Sequence, residues 1–390
     1  MQKDDEDNII FLCLNLDMVC EDSSTIFCKM SKNFDNMKVL FKLPSPPKYL
    51  QSYLNVVQYG KYKIFIPSNN DQIYLYDGVS FTYERLNVPK ERRGVFTFFS
   101  YKLINDKLYL FTFLPFIYVL DLSDLNKTGK ISKKVKIISV NDSLSKNSVE
   151  YMFWGTDIEI LNQKLYATVK PLNVLVEFDL KSYKYKIIEI PFATAILKSY
   201  NENLLLLDEK KGILYTYDIL KKELSFLYSN KFLISQKDCC FIKSLILENY
   251  LYLWQNLSDD LIILNLTNGF VTSFFMGEPY NKHYFTPPVP FYKIGDCKII
   301  DNKIIFHSVA RNEFFCFTQD QLLWRKEAVT EKMAQEINFH HALMNNETLR
   351  EVKAYDLNCY LENLNILKPS IPKNNTNVGK QIYKTIIKKM

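Results

Sequence analysis

Short apolar runs and polar turns alternate along most of the chain, and one arrangement of them recurs. It consists of an apolar strand, a polar turn of the type Asn-x-Lys, a second strand, a polar loop, a third strand ending in Asp, and a fourth strand. The clearest copy spans 101–137: Tyr101-Lys102-Leu103-Ile104, the turn Asn105-Asp106-Lys107, Leu108-Tyr109-Leu110-Phe111, a loop at Leu114-Pro115-Phe116, and Tyr118-Val119-Leu120-Asp121. The next copy has Ile158-Glu159-Ile160, Leu161-Asn162-Gln163-Lys164, Leu165-Tyr166-Ala167 and Leu175-Val176-Glu177-Phe178-Asp179. Weaker copies carry Asn201-Glu202-Asn203 with Tyr215-Thr216-Tyr217-Asp218, Glu248-Asn249-Tyr250 with Ile262-Ile263-Leu264-Asn265, and Asp301-Asn302-Lys303 with Phe315-Cys316-Phe317-Thr318. Upstream lie Tyr59-Gly60-Lys61 and Ile73-Tyr74-Leu75-Tyr76-Asp77, and Thr25-Ile26-Phe27-Cys28-Lys29-Met30 reads as the third strand of a first unit.

Taking Met30, Asp77, Asp121, Asp179, Asp218, Asn265 and Thr318 as equivalent points gives steps of 47, 44, 58, 39, 47 and 53 residues. Units of that size hold four short antiparallel strands, as a propeller blade does. A four-stranded sheet with two apolar faces cannot stand alone and must stack on neighbours on both sides. Leu108-Tyr109-Leu110-Phe111-Thr112-Phe113 and Asn203-Leu204-Leu205-Leu206-Leu207 are apolar at both parities, as strands buried on both faces should be. Tyr185-Lys186-Ile187-Ile188-Glu189-Ile190 alternates in part, as an outer strand would. A sandwich has no reason to repeat one turn, and a β-helix usually has a shorter period. The expected fold is therefore all-β, a β-propeller of seven four-stranded blades over 8–327 with a small α-helical C-terminal extension at 328–390. Before the third strand of the first unit there is one candidate strand, Ile9 to Leu16, so closure is expected to borrow a strand or to be incomplete. In the extension, 328–344, 347–364 and 380–389 read as helices, the last basic and amphipathic through Ile382, Ile386, Lys384, Lys388 and Lys389.

With these repeats the chain resembles the kelch-like and galactose-oxidase-like propeller families, and within them a bacterial branch. The likeness covers about residues 8–327 and rests on the repeat pattern. It lacks the Gly-Gly pair of a kelch strand and the Gly-His and Trp-Asp pairs of WD40 units, so the resemblance transfers no catalytic residue.

Composition narrows the function. Apolar residues make up 47% and charged residues 24%, which excludes a disordered or fibrous chain. The net charge is +6, yet among the 49 basic residues only Arg85, Arg92, Arg93, Arg311, Arg325 and Arg350 are arginine. Arginine supplies the forked contact that reads phosphates and guanines. A lysine-dominated surface argues against a nucleic-acid partner. No apolar run is long enough to span a membrane, and the acidic start Asp4-Asp5-Glu6-Asp7 is unlike a secretory signal. A cytoplasmic monomer is expected, and its eight cysteines, with no CxxC pair, read as reduced thiols that bind no metal.

No P-loop, GxGxxG, GxSxG or HExxH motif is present, and no cofactor is expected. Blade topology places the first-to-second and third-to-fourth turns on one face, and the second-to-third loops with the links between blades on the other. The uniform Asn and Asp turns of the first face read as local backbone chemistry. The irregular segments belong to the second face, where binding residues usually concentrate. The candidate ligand-binding set is Arg92, Arg93, Trp154, Lys170, Tyr280, His283 and Arg311, with core packing the alternative for Trp154 and Tyr280. Two functions follow from it. One is a non-enzymatic binding module or scaffold for a protein, peptide or glycan at the pore mouth. The other is a lyase or hydrolase using His283 with Glu278 or Asp259 for proton transfer.

Overall fold

The computed structural model describes residues 2–4, 8–14, 25–31, 37–43, 53–67, 71–86, 98–112, 114–131, 135–144, 152–235, 241–255, 260–275, 294–308, 313–318 and 324–327. The helices expected in 328–390 lie outside the described residues. Within them the chain forms seven four-stranded antiparallel sheets, in each of which the strands pair in chain order. The first strands are Gln2–Lys3, Tyr53–Tyr59, Phe98–Ile104, Phe153–Leu161, Leu197–Tyr200, Phe241–Leu247 and Ile294–Ile300. Gln2–Lys3 pairs with Ile9–Leu14, so the first sheet completes itself and starts ahead of the boundary expected at residue 8. A two-residue strand leaves no periodicity to read, which is why one candidate strand was visible there instead of two.

Burial follows the strand's place in its sheet. The second strands Lys107–Thr112, Asn203–Asp208 and Tyr250–Gln255 are buried along nearly their whole length, whereas the fourth strands Phe81–Arg85 and Glu223–Ser229 are mostly exposed. Successive sheets share their cores. Phe27 and Ile10 of sheet one meet Val56 and Phe65 of sheet two, and Ile64 and Leu75 of sheet two meet Leu110 and Tyr118 of sheet three. Phe111 and Val119 meet Leu165 and Val176, and Tyr166 and Leu175 in turn meet Leu204 and Leu206. Leu205 and Leu207 meet Leu251 and Leu253, and Tyr252 and Trp254 meet Cys297 and Ile304. One apolar layer thus lies between each sheet and the next. This is a propeller-like arrangement, and it explains why the second strands must be apolar at both parities.

The turns behave as their residues require. Asn162-Gln163, Asn201-Glu202 and Asp301-Asn302, each joining a first strand to a second, all have positive φ between 47° and 61°. Both central residues of a tight hairpin then take the left-handed region that Asn and Asp tolerate best. At the ends of third strands, Oδ1 of Asp77 accepts Val79 and Ser80 N–H, that of Asp179 accepts Lys181 and Ser182 N–H, and that of Asp218 accepts Leu220 and Lys221 N–H. Asn265 does the same for Thr267 and Asn268. The 58-residue step after Asp121 has a cause too: the connection following it carries a helical turn, Leu125–Thr128, closed by Gly129 at φ 72°.

Candidate functional site: charged residues on the first strands

The first strands approach one another. Those of sheets one and two, two and three, four and five, five and six, and six and seven are neighbours, and that of sheet four also reaches that of sheet six. Side chains extend the convergence further. Lys298 of sheet seven stands 5.6 Å from the Tyr101 ring of sheet three, and the Tyr101 hydroxyl donates to Val56 O of sheet two at 3.5 Å.

Where these strands meet, charge collects. Lys198 Nζ lies 3.1 Å from Asp157 Oδ1 and 3.0 Å from Glu159 Oε1. Glu159 Oε2 accepts the Ser199 hydroxyl at 2.9 Å and Ser199 N–H at 3.4 Å, while Asp157 Oδ2 accepts Leu197 N–H at 3.4 Å and the Ser244 hydroxyl. Asp157, Lys198 and Ser244 come from sheets four, five and six. Three sheets therefore close on one carboxylate.

Backbone irregularity aims Asp157 there. In sheets two, three, six and seven the first strand carries one extra residue near its start, opposite the second strand. In sheet four the bulge is larger: Trp154 pairs with Val169 and Ile158 with Ala167, so Gly155, Thr156 and Asp157 all face Thr168. Such bulges bend a strand and redirect its side chains. Gly155 allows it, because a Cβ there would stand 2.1 Å from Thr168 Oγ1 and 3.3 Å from Ala195 O.

The electrostatics of the cluster follow from burial and pairing. Burial holds the Asp157 carboxyl above its ordinary value despite the pull of Lys198 and the Ser244 hydrogen bond. Burial pushes Glu159 up as well, but Lys198, Lys102 and the hydrogen bonds from Lys198 and Ser199 outweigh it, and its carboxyl ends below the usual range. Burial would lower Lys198, and the two carboxylates more than reverse it. Lys102, on the first strand of sheet three, is lowered by burial and by Lys198 and Lys298, with Glu159 and Asp157 pulling the other way. Unlike Lys198, it makes no ion pair or hydrogen bond with either carboxylate.

Of the residues expected at a site, the structure describes two. Trp154 is 1% exposed; its indole N–H donates to Phe116 O at 3.3 Å and its ring meets Phe111 edge-on. It packs between sheets three and four, the core alternative. Lys170 ends the second strand of sheet four on the face of the second-to-third loops, and pairs at 3.1 Å with the buried Glu209 in the corresponding loop of sheet five. Glu209 also accepts Ala195 N–H at 3.0 Å, so this pair ties one sheet to the next. Arg92, Arg93, Tyr280, His283 and Arg311, with Glu278 and Asp259, lie outside the described residues. Among the described residues no group of three metal-ligating side chains occurs, and no helix is long and apolar enough to cross a membrane.

The charged cluster was missed in the sequence, although a signal existed. Lys102, Glu159, Lys198 and Lys298 each stand two residues before the end of a first strand, a recurring charge inside otherwise apolar segments.

No family model matches this chain, and no curated protein matches it either. Solved structures do. The chain is similar in fold to a candidate 6-phosphogluconolactonase from Bacteroides fragilis, with 12% identity, a TM-score of 0.52, and 83% of this chain and 95% of that one covered. Also similar are the computationally designed protein Ika8, at 8% identity and TM-score 0.47 over 75% of this chain and 80% of that one, and Hsv2 of Kluyveromyces lactis, at 10% identity and TM-score 0.45 over 77% and 91%. At these identities the first likeness shows the fold alone.

Proposed function

We propose that the chain is a seven-bladed β-propeller of the kelch-like type that serves as a binding module, taking its ligand at the axis where the first strands meet. The observation that carries this is the enlarged bulge of sheet four, which brings Asp157 into contact with residues of sheets five and six. A rigid scaffold that spends an irregularity to gather charge at its centre is built for recognition rather than for stability alone. A peptide or glycan fits the mixture of amine, carboxylate and hydroxyl groups there, and a protein could present either. The module acts as a cytoplasmic monomer without a nucleic-acid partner, in keeping with its lysine-dominated charge. The test is a peptide and glycan array probed with wild type and with Glu159→Gln. A ligand that loses about tenfold or more in affinity in the variant, at unchanged melting temperature, supports the reading; a ligand indifferent to Glu159 counts against it.

A second reading has its own observation. Asp157, Glu159 and Lys198 are three titratable groups within hydrogen-bond reach, the minimum for proton transfer in a hydrolase or lyase. The structural likeness makes a sugar lactone such as 6-phosphogluconolactone the first substrate to try. Hydrolysis no faster than the spontaneous rate, followed by base uptake at constant pH, removes it.

A further inference from the structure

Beyond the axial site, and without resting on it, we infer that the face of the second-to-third loops carries a docking surface for an acidic peptide segment of another protein. It is formed in sheet five by Phe232 and Ile234 with Lys210, Lys211 and Lys231. Two short segments build it: the second-to-third loop, from Asp208 to Gly212, and residues 230–235, which leave the fourth strand and cross over that loop. Hydrogen bonds fix the crossing at both ends, Asn230 N–H donating to Gly212 O at 3.0 Å and Ser235 N–H to Glu209 O at 2.8 Å. Lys210 and Lys211 therefore lie between the same two bonds as the helical turn Lys231–Leu233 and Ile234. Gly212, at φ 65°, permits this approach, since a Cβ there would stand 2.5 Å from Asn230 O and 2.7 Å from Ile234 Cγ1.

Both segments are held in shape by their own hydrogen bonds, so little ordering cost remains for a partner to meet. Asp208 Oδ1 accepts Lys210 and Lys211 N–H, and Asp208 O accepts Lys211 and Gly212 N–H. Asn230 Oδ1 accepts Phe232 N–H, Asn230 O accepts Leu233 N–H, and Lys231 O accepts Ile234 N–H. With these donors taken up, the turn offers no edge for an added strand, and a partner meets it through side chains. Leu233 is 0% exposed and anchors the turn in the core shared by sheets five and six, whereas Phe232 and Ile234 on either side of it are 42% and 41% exposed.

The exposed charge around them has one sign. Asp208 and Glu209, the carboxylates of the two segments, are both buried. Asp208 is taken up by its turn and lies 3.9 Å from Lys211 Nζ, while Glu209 is taken up by Lys170 and Ala195 N–H. Lys210, Lys211 and Lys231 are exposed, and neither Lys210 nor Lys231 makes an ion pair among the described residues. Lys231 Nζ instead stands 5.5 Å from the centre of the Phe232 ring. Two apolar side chains rimmed by three ammonium groups complement a peptide in which Asp or Glu flank bulky apolar residues. Two such side chains bury too little apolar area to hold a lipid surface.

A phage-displayed library of random peptides, panned on the full chain and counter-selected on the double variant Phe232→Ser, Ile234→Ser, tests this. Peptides kept by wild type and lost by that variant should be rich in Asp and Glu beside Leu, Ile or Phe. Synthesised with a fluorescent label, they should bind wild type saturably and the double variant about tenfold or more weaker. A similar loss is expected in Lys210→Glu, Lys231→Glu, and rising salt should weaken binding to wild type. The melting temperature of both variants should hardly move. A marked fall in both would identify these residues as structural and overturn the assignment; if the apolar variant alone falls, the charge variant decides by the same affinity criterion. Failure to select any peptide that separates wild type from the apolar variant, separating peptides without acidic residues, or affinity unchanged by Lys210→Glu, Lys231→Glu would each overturn it. Sedimentation of wild type but of neither variant with phosphatidylserine–phosphatidylcholine vesicles, with no peptide selected, would assign the surface to lipid and overturn it as well.

Discussion

Tyr59, the last residue of the first strand of sheet two, donates its hydroxyl to Asp106 Oδ1 at 2.7 Å in the first turn of sheet three. Tyr200 repeats the contact with Asn249 at 3.0 Å, joining sheets five and six. The repeat thus latches neighbouring sheets by a side chain as well as by a shared core. Burial and the Asp106 carboxylate push the Tyr59 hydroxyl up to about 12. The folded state therefore holds this proton more tightly than the unfolded chain, whose tyrosine titrates near 10. The stability it contributes is complete below pH ~10 and is lost as pH rises towards 12. Tyr59→Phe should lower the melting temperature at pH 8 and show a shallower alkaline decline than wild type; parallel declines would contradict the latch.

The Asp turns carry the opposite sign. Hydrogen bonds from backbone N–H groups hold the carboxyls of Asp77, Asp179 and Asp218 below their ordinary value, and for Asp121 the Ser123 side chain and then its N–H do so. Their contribution is present above pH ~4 and is lost as pH falls through the lowered values. Asn265 makes the same contacts without a charge. Asn265→Ala should cost about 0.5–2 kcal/mol, as loss of a capping side chain does, equally at pH 7 and pH 3. Asp179→Ala should destabilise at pH 7 and have less effect at pH 3. Urea titrations at the two pH values compare them, and a pH-independent Asp179 effect would refute the charge argument.

Gly155 tests the bulge. Gly155→Ala forces a methyl group into Thr168 Oγ1, which is buried and has no hydrogen-bond partner. Overpacking of this kind costs about 1–3 kcal/mol. Because the Thr168 hydroxyl has nothing to lose, Thr168→Ala in the same chain should recover part of that cost. Additive losses in the double variant would mean that the two residues do not meet.

Lys198→Met removes the only group that pairs with both Asp157 and Glu159 among the described residues. Breaking a buried pair while leaving its charges behind costs about 3–5 kcal/mol. The unfolding midpoint in urea should fall steeply at neutral pH, and the loss should shrink on acidification as the stranded carboxylates protonate. A change below about 1 kcal/mol would show that water reaches these groups freely.

How much of this was legible beforehand depends on what each residue does. The sheets were legible because their second strands are apolar at both parities and because Asn and Asp mark the turns through local hydrogen bonds. The stretch from Asn105 to Asp121 shows these features together: a turn opening on Asn, an apolar second strand and a third strand closing on Asp. The first strand Gln2–Lys3 was not legible, since two polar residues carry no pattern and pair only because Ile9–Leu14 offers them an edge. The axial cluster was hidden for a different reason. Asp157 and Ser244 are 87 residues apart in sequence, and only the convergence of three sheets brings them together. Attention to irregular loops drew the expected site towards Trp154, whose indole is needed by the core, and away from a charge recurring at one strand position.

That convergence is the central claim, and the pair Asp157 and Ser244 measures it. They belong to sheets four and six, which are not successive in the chain, so an open stack of sheets would leave them independent. A double-mutant cycle of Asp157→Asn and Ser244→Ala, read by urea unfolding, should give a coupling energy of about 1 kcal/mol or more, within the range found for residues in contact. A coupling below about 0.3 kcal/mol would mean that the first strands do not share an axis, and the account of the site built on it would fail.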